Sequence, residues 1–280
     1  MSTTLADAIR ATKRHLHGLY RPAYNKLADS ITTTDTSLNL AYDETVAGRL
    51  FIGIGTELAY VWSASGSTLT LERGMEGTDA QAHAADTLIE MEPTYPDGLV
   101  LQALRDELRS YGPSSLYRLI EVGITPSTDR AVDLGPGYHV AQVRGLRDDI
   151  WHTLDFRLVS ASRDNLQVLL PFDVSQWDDL VADVAIGFSL PDTWATTIDL
   201  VDDMGFEESM LDIPPLGAAR RLLQEAPRVR TATAVEPRAA QEVEAMQRTQ
   251  VRRDLELQRQ MRIDEIRRDL LARIGGYSRP

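Results

Sequence analysis

Cysteine is missing from all 280 residues, which excludes disulfides, thiolate metal sites and cysteine nucleophiles. Lysine is scarce as well: only Lys13 and Lys26 occur, and the other 27 basic residues are arginine, a bias that fits a GC-rich genome. No run approaches the roughly 18 apolar residues of a membrane helix. Residues 1–7 have no basic region followed by an apolar one, so no signal peptide is expected and the protein is expected to be soluble and made in the cytosol. Nucleotide-binding signatures are lacking too. No Gly-x-x-x-x-Gly-Lys-Ser/Thr loop occurs, and Gly53-Ile54-Gly55-Thr56-Glu57-Leu58 has neither a third glycine nor a long helix after it, so it reads as a strand entering a hairpin. There is no Gly-x-Ser-x-Gly elbow; Ser63-Ala64-Ser65-Gly66 reads as a turn.

What remains is the composition of a folded protein, 43% hydrophobic and 25% charged, long enough for one large domain or two modest ones. Its net charge of −13 is unevenly spread. From Arg228 onward there are 12 arginines against 8 acidic residues, or +4, which leaves −17 for the first 227 residues. Such a body repels phosphate and will not hold nucleic acid non-specifically.

The pattern predicts an α+β chain: N-terminal helices with a β-hairpin module (1–113), an antiparallel β-sandwich-like middle with a short closing helix (114–225), and a linker with a long C-terminal helical arm (226–280). Helices are expected at 5–19, 99–111, 216–224 and 239–274. Strands are expected at 38–41, 57–63, 68–73, 87–92, 116–122, 138–143, 150–159, 166–170, 181–189 and 196–201, separated by Gly, Pro and Asn-Asp turn signals. The arm would extend about 50 Å at 1.5 Å per residue. Its apolar stripe is only partial, so it is expected to need a neighbouring subunit or another protein to cover it. Arg252, Leu255, Arg259, Arg262, Ile266, Leu270 and Tyr277 are the candidate docking residues.

Candidate chemistry is thin, and no catalytic, metal or cofactor residue is assigned. His15 and His17, two apart on a helix, point in nearly opposite directions and cannot chelate together. The adjacent acids at 148–149, 178–179, 202–203 and 207–208 read as solvated loop residues, because an acid/base pair must face across a cleft. With aromatics at 6%, the scattered Trp62, Trp151, Trp177 and Trp194 are expected in core or interface packing rather than stacked on sugars or bases. The interleaved 8 arginines and 5 acids of 248–273 read as a salt-bridged, protein-facing helix.

One segment is more specific. Gly55-Thr56-Glu57 opens a strand; Gly66 turns it; Leu69-Thr70-Leu71 and Arg73-Gly74 follow; then come Gly77-Thr78, a spaced His83 and a closing strand. Here Gly74 and Gly77 are expected to bracket a tight turn, and His83 to pin the loop to a backbone group. This arrangement resembles a module that recurs in virion proteins of tailed bacteriophages, with Gly66, Arg73, Gly74, Gly77 and His83 as its structural residues. It departs from the usual pattern at Leu71, where valine is common, and at Asp86, where glycine is. The stretch Pro214-Pro215-Leu216-Gly217-Ala218-Ala219-Arg220-Arg221-Leu222-Leu223, followed by a linker and an arginine-rich helix, is also similar to structural proteins of siphophages. The likeness covers under half the chain.

It implies a non-enzymatic virion protein, made in the host cytoplasm. Within the virion, the acidic body and long arm suit a head-to-tail adaptor at the neck: a homo-oligomeric ring of twelve copies that docks on the portal, meets a downstream neck or tail-terminator protein, and conducts DNA without sequence-specific contact or membrane association. Three alternatives stay open. They are a tail-tip or baseplate protein with a β-sandwich binding role, a cell-wall hydrolase using a pair such as Asp178 and Glu207, and a cytosolic regulator with a coiled-coil arm.

Overall fold

Strict alternation along residues 68–72 sets the architecture of the first half of the chain. Leu69 and Leu71 point inward, and Thr68, Thr70 and Glu72 point to solvent. The computed structural model describes residues 3–16, 23–42, 46, 48–112, 115–125, 130–162, 165–170, 175, 177–224 and 238–276. They form a mixed α+β chain that divides into two compact units. The first comprises residues 5–107 and 214–258, the second residues 1–4, 108–213 and 259–280.

The first unit opens with α1 (Leu5–Leu16), which buries Leu5, Ala8, Ile9, Thr12 and Leu16 at helical spacing. Six antiparallel strands follow: β1 (Ala23–Lys26), β2 (Ser37–Asn39), β3 (Leu50–Ile54), β4 (Glu57–Ser65), β5 (Thr68–Glu72) and β6 (Leu88–Met91). Their order in the sheet is β1-β6-β3-β4-β5-β2. The sheet curls until its edges meet. Leu27 bridges Leu40, while the Ala28 and Ala41 N–H groups donate to the carbonyls of Asn39 and Lys26. Closure satisfies edge groups that would otherwise be left open. Inside lie Leu27, Leu38, Ile52, Ile54, Ala59, Val61, Leu69, Leu71 and Ile89.

Next comes α2 (Asp97–Arg109), counted with this unit as far as Glu107. The third helix, α3 (Ile213–Leu222), begins before the expected position, with Pro214 and Pro215 inside its first turn. Proline is tolerated there because the first N–H groups of a helix have no partner to lose. α2 and α3 meet through Glu107, fully buried, which accepts from Arg221 Nε at 2.7 Å. A Cβ on Gly217 would fall 2.2 Å from the Glu107 carboxyl carbon, so glycine is what admits that side chain.

The second unit holds β7 (Arg118–Ile124), β8 (Ala131–Gly135), β9 (His139–Arg147), β10 (Ile150–Leu154), β11 (Arg157–Ser162), β12 (Asn165–Leu169) and β13 (Asp179–Ile186). One antiparallel sheet has the order β10-β9-β13-β7 and the other β11-β12-β8. Val143, Leu180, Ala182 and Val184 of the first share an apolar cluster with Leu134, Leu166 and Val168 of the second. Three expectations are corrected. The single strand expected over 150–159 is two, in different sheets, with the chain crossing at Asp155 and Phe156. Residues 196–201 form turns rather than a strand, because the Asp199 carboxylate captures the N–H groups of Val201 and Asp202 at 2.7 and 3.0 Å. Strands β1, β3 and β8 were not anticipated in full.

The C-terminal helix α4 (Arg238–Gly276) contributes its residues up to Gln258 to the first unit and those from Arg259 to the second. The expected linker, 226–237, lies outside the described residues. Among the described residues no helix is long and apolar enough to cross a membrane.

The Gly217 contact gives a direct test. Gly217→Ala is expected to lower the unfolding free energy by about 1–3 kcal/mol through overpacking, measured by urea denaturation, whereas Gly66→Asn, at a hairpin tip with open space around it, should cost under about 1 kcal/mol.

Candidate functional site

The segment of residues 55–92 folds around one carboxylate. Glu57 begins β4, immediately after the turn at Gly55 and Thr56, and its side chain is completely buried. Arg73, just beyond the end of β5, grips it bidentately. Nε donates to Oε1, and Nη2 donates to Oε2 at 2.6 Å. The remaining Arg73 hydrogens reach three backbone carbonyls: Thr32 at 3.1 Å, Asp35 at 3.2 Å and Gln81 at 2.6 Å. All the guanidinium nitrogens are engaged, and the fork of Arg is the reason one residue can do this.

The loop after Arg73 closes on the same carboxylate. Gln81 N–H donates to Oε2 at 3.0 Å, and Gly74 N–H reaches Oε1 at 3.4 Å. His83 Nε2 lies 2.9 Å from Oε2 and carries the hydrogen, since an ionised carboxylate only accepts. The pinning of the loop by His83 therefore has a side-chain partner, not the backbone group expected of its ring. The backbone of His83 is separately paired with Ile31, each N–H donating to the other's carbonyl at 2.9 Å. Thr78 Oγ1 accepts from Leu58 N–H at 3.0 Å and donates to the Met75 carbonyl at 2.8 Å. Gly74 and Gly77 turn the chain at φ of 66° and 78°, and a Cβ on Gly74 would press on the Thr78 carbonyl at 3.0 Å. Gly66, φ 59°, is the first of two residues joining β4 to β5.

Burial opposes the Glu57 charge, but the hydrogen bonds from Arg73, His83 and Gln81 outweigh it and take the carboxyl from the ordinary 4.5 down to about 2. A carboxylate with five donors around it has no lone pair left for proton abstraction. The arrangement is a clasp. It ties the start of β4 to the end of β5, to the loop of residues 74–83 and to the 32–35 turn. The sequence pattern singled out Arg73, Gly74, Gly77 and His83; it left the hub, Glu57, and the stitch, Thr78, off the site. The signal was present: an acid that must be buried needs a fixed cation, and Arg73 stood in the same motif.

A second buried cluster shows the same chemistry with poorer balance. Lys13 Nζ lies 2.5 Å from both Glu90 Oε2 and Asp97 Oδ1. Burial works against the Lys13 charge, yet Asp97 and Glu90 together overcome it and raise its pKa. Burial lifts the Glu90 carboxyl above its usual range despite Lys13, and the like charge of Asp97 adds to this.

The proposed docking residues are distributed differently from the expectation. Leu255 is buried in the first unit, and Ile266 and Leu270 in the second, so the chain itself covers the stripe that was expected to need a partner. Arg262 donates to Asp212 Oδ2 at 2.7 Å and to the Ser209 carbonyl at 2.9 Å, and also pairs with Glu265. Arg273 holds Glu207 bidentately at 2.9 and 2.8 Å, which occupies one member of the Asp178–Glu207 pair. Arg252 and Arg259 are half-buried, and Tyr277 and His17 lie outside the described residues. The exposed apolar side chains of α4 are instead Met246, Leu257, Met261 and Leu271. They fall within about 80° on a helical wheel of 100° per residue, opposite the buried stripe.

The tryptophans also divide. Trp177 packs against Gly145, and Trp194 lies under Arg109 at 5.9 Å, whereas Trp62 and Trp151 are 56% and 41% exposed. Trp62 is the extra residue of a bulge between β4 and β5 and closes a row of edge-to-face rings, Phe51–Tyr60 at 5.1 Å and Tyr60–Trp62 at 4.9 Å. Among the described residues no group of three His, Asp or Glu side chains could hold a metal ion. Neither a family model nor a curated protein matches this chain.

Two outcomes test the clasp. Arg73→Ala strands a buried charge and is expected to cost about 3–5 kcal/mol, while Arg73→Lys, which keeps the charge but loses the fork, should fall between it and the parent in urea denaturation. The Glu57 carboxyl is depressed on folding, so its contribution is complete above the unfolded value of 4.5 and is lost as pH falls toward about 2. That loss should amount to roughly 3 kcal/mol, and Glu57→Gln should remove this part of the acid dependence.

Proposed function

We propose that the protein is a non-enzymatic structural component of a tailed-phage virion, a head-to-tail adaptor that forms a homo-oligomeric ring beneath the portal. The observation that carries this reading is the clasp. The residues that make the 55–92 segment look phage-like are the ones that converge on Glu57, so the likeness rests on a physical unit rather than on chance composition. The charge of −17 over the first 227 residues supports a role beside DNA in transit, because a repulsive wall lets the duplex slide without binding it. In this reading the contact with the portal or an adjacent subunit uses the exposed side of α4, Met246, Leu257, Met261 and Leu271, and not Leu255, Ile266 and Leu270.

A specific observation favours a second reading, a tail-tip or baseplate protein. The Phe51–Tyr60–Trp62 row places three rings side by side on one sheet, a surface suited to sugar or protein contacts at the host envelope.

Immunogold labelling of intact and partly disrupted particles, with antibody raised against residues 114–205, separates the two. Gold is expected at the head–tail junction. Gold at the distal tail would transfer the assignment to the second reading, and particles without gold in either preparation would remove both. Trp62→Ala should leave neck assembly unchanged; a large loss of host adsorption by particles carrying it would favour the tail tip.

A further inference from the structure

We propose that the second unit binds a small organic monoanion, a carboxylate carried on an aromatic or short aliphatic body. The site is a cavity of about 390 Å³ between the end of α2, strand β7, the turn after β8 and the segment following β13. Ile120, Leu134, Ile186, Phe188 and Leu190 give it apolar walls. Phe188 is fixed by stacking on Phe206 at a centroid distance of 3.9 Å, so that wall is rigid.

Two arginines line the cavity, Arg109 and Arg118, and no carboxylate does. In a chain with 42 acidic residues against 29 basic ones, a doubly cationic pocket without an acid is against the trend. Two other enclosed arginines are matched by acids: Arg73 holds Glu57, and Arg144 holds Asp183 and Glu121. Arg118 is different. Its Nε is buried without a hydrogen-bond partner, and among the described residues no carboxylate pairs with its guanidinium. An Nε–H shut away from water without an acceptor is costly, and an incoming carboxylate supplies the missing acceptor bidentately.

The surroundings are shaped for these polar groups. A Cβ on Gly205 would lie 1.9 Å from Arg118 Nη1, so the guanidinium occupies space that only glycine leaves. A Cβ on Gly187 would lie 2.6 Å from the hydroxyl of Tyr138, another lining residue. Arg109 is exposed and sits over the Trp194 ring, which places a second positive charge at the mouth, close to a fluorescent reporter. The volume is at the small end of ligand cavities, and the walls divide almost evenly between polar and apolar surface. That combination suits one negative charge on one ring or short chain, and disfavours a polyphosphate. A free metabolite-sized acid and the last residue of a peptide present this same chemistry.

Calorimetric titration of the full chain with 3-phenylpropanoate and with 3-phenylpropanamide isolates the charge, because the two share a body. The acid is expected to bind with a dissociation constant below about 1 mM and the amide at least about tenfold more weakly. Arg118→Gln should weaken the acid by about tenfold or more with an unchanged near-ultraviolet dichroism spectrum. No binding of the acid up to about 10 mM, equal affinity for acid and amide, or undiminished binding by a folded Arg118→Gln would each overturn the proposal. If that variant does not fold, the acid–amide comparison on the parent chain decides alone. Acetyl-Ala-Ala-Phe, as free acid and as amide, distinguishes the sources: tighter binding of the peptide acid than of 3-phenylpropanoate assigns the site to a chain end, and weaker binding to a free small acid.

Discussion

The carboxylate of Glu57 is the constraint around which the first unit is arranged. A fully buried acid is unfavourable by several kcal/mol unless its charge is matched and its lone pairs are filled. Here one arginine and three further donors do both. Because those donors come from the residue just after β5, from the following loop and from the histidine at its far end, satisfying the charge fixes where each segment runs. The curled sheet supplies hydrophobic stability. The clasp decides which loop path goes with it.

The same device recurs at different stoichiometry. Glu107 faces Arg220 and Arg221, Arg144 faces Glu121 and Asp183, and Lys13 faces Glu90 and Asp97. These groups draw helix and strand into defined relationships within each unit. Where one cation serves two acids, as at Lys13, the excess charge remains as a raised Glu90.

Period-2 alternation and turn glycines made β4, β5 and their hairpin readable, because both signals are local. Helices α1, α2 and α4 were readable for the same reason. The split between β10 and β11 was not, since Asp155 and Phe156 carry no turn signature and the switch of sheet is decided by packing of Phe156 on the shared core. Residues 196–201 looked like a strand from Ile198, Leu200 and Val201, but the side chain of Asp199 won the competition for the backbone. At the candidate site the motif residues were legible and the hub was not, because a sequence shows which residues accompany one another but not which one the others surround. The arm failed for a related reason. A partial stripe reads as insufficient when its cover is unknown, and the acidic partners at Asp212 and Glu207 lie more than forty residues away in sequence.

The two kinds of ion pair in this chain differ in their exposure to solvent ions. Those at Glu57 are enclosed by protein, whereas Arg262–Asp212 and Arg273–Glu207 lie at the surface, where the screening length of mobile ions shortens from about 8 Å at physiological salt to about 3 Å at 1 M. Ionic strength therefore acts unequally on the molecule. Concentrated electrolyte loosens the grip of the helical arm on the segment of residues 207–212 and leaves the Glu57 clasp as it was, so the chain carries one attachment that its medium can tune and one that it cannot.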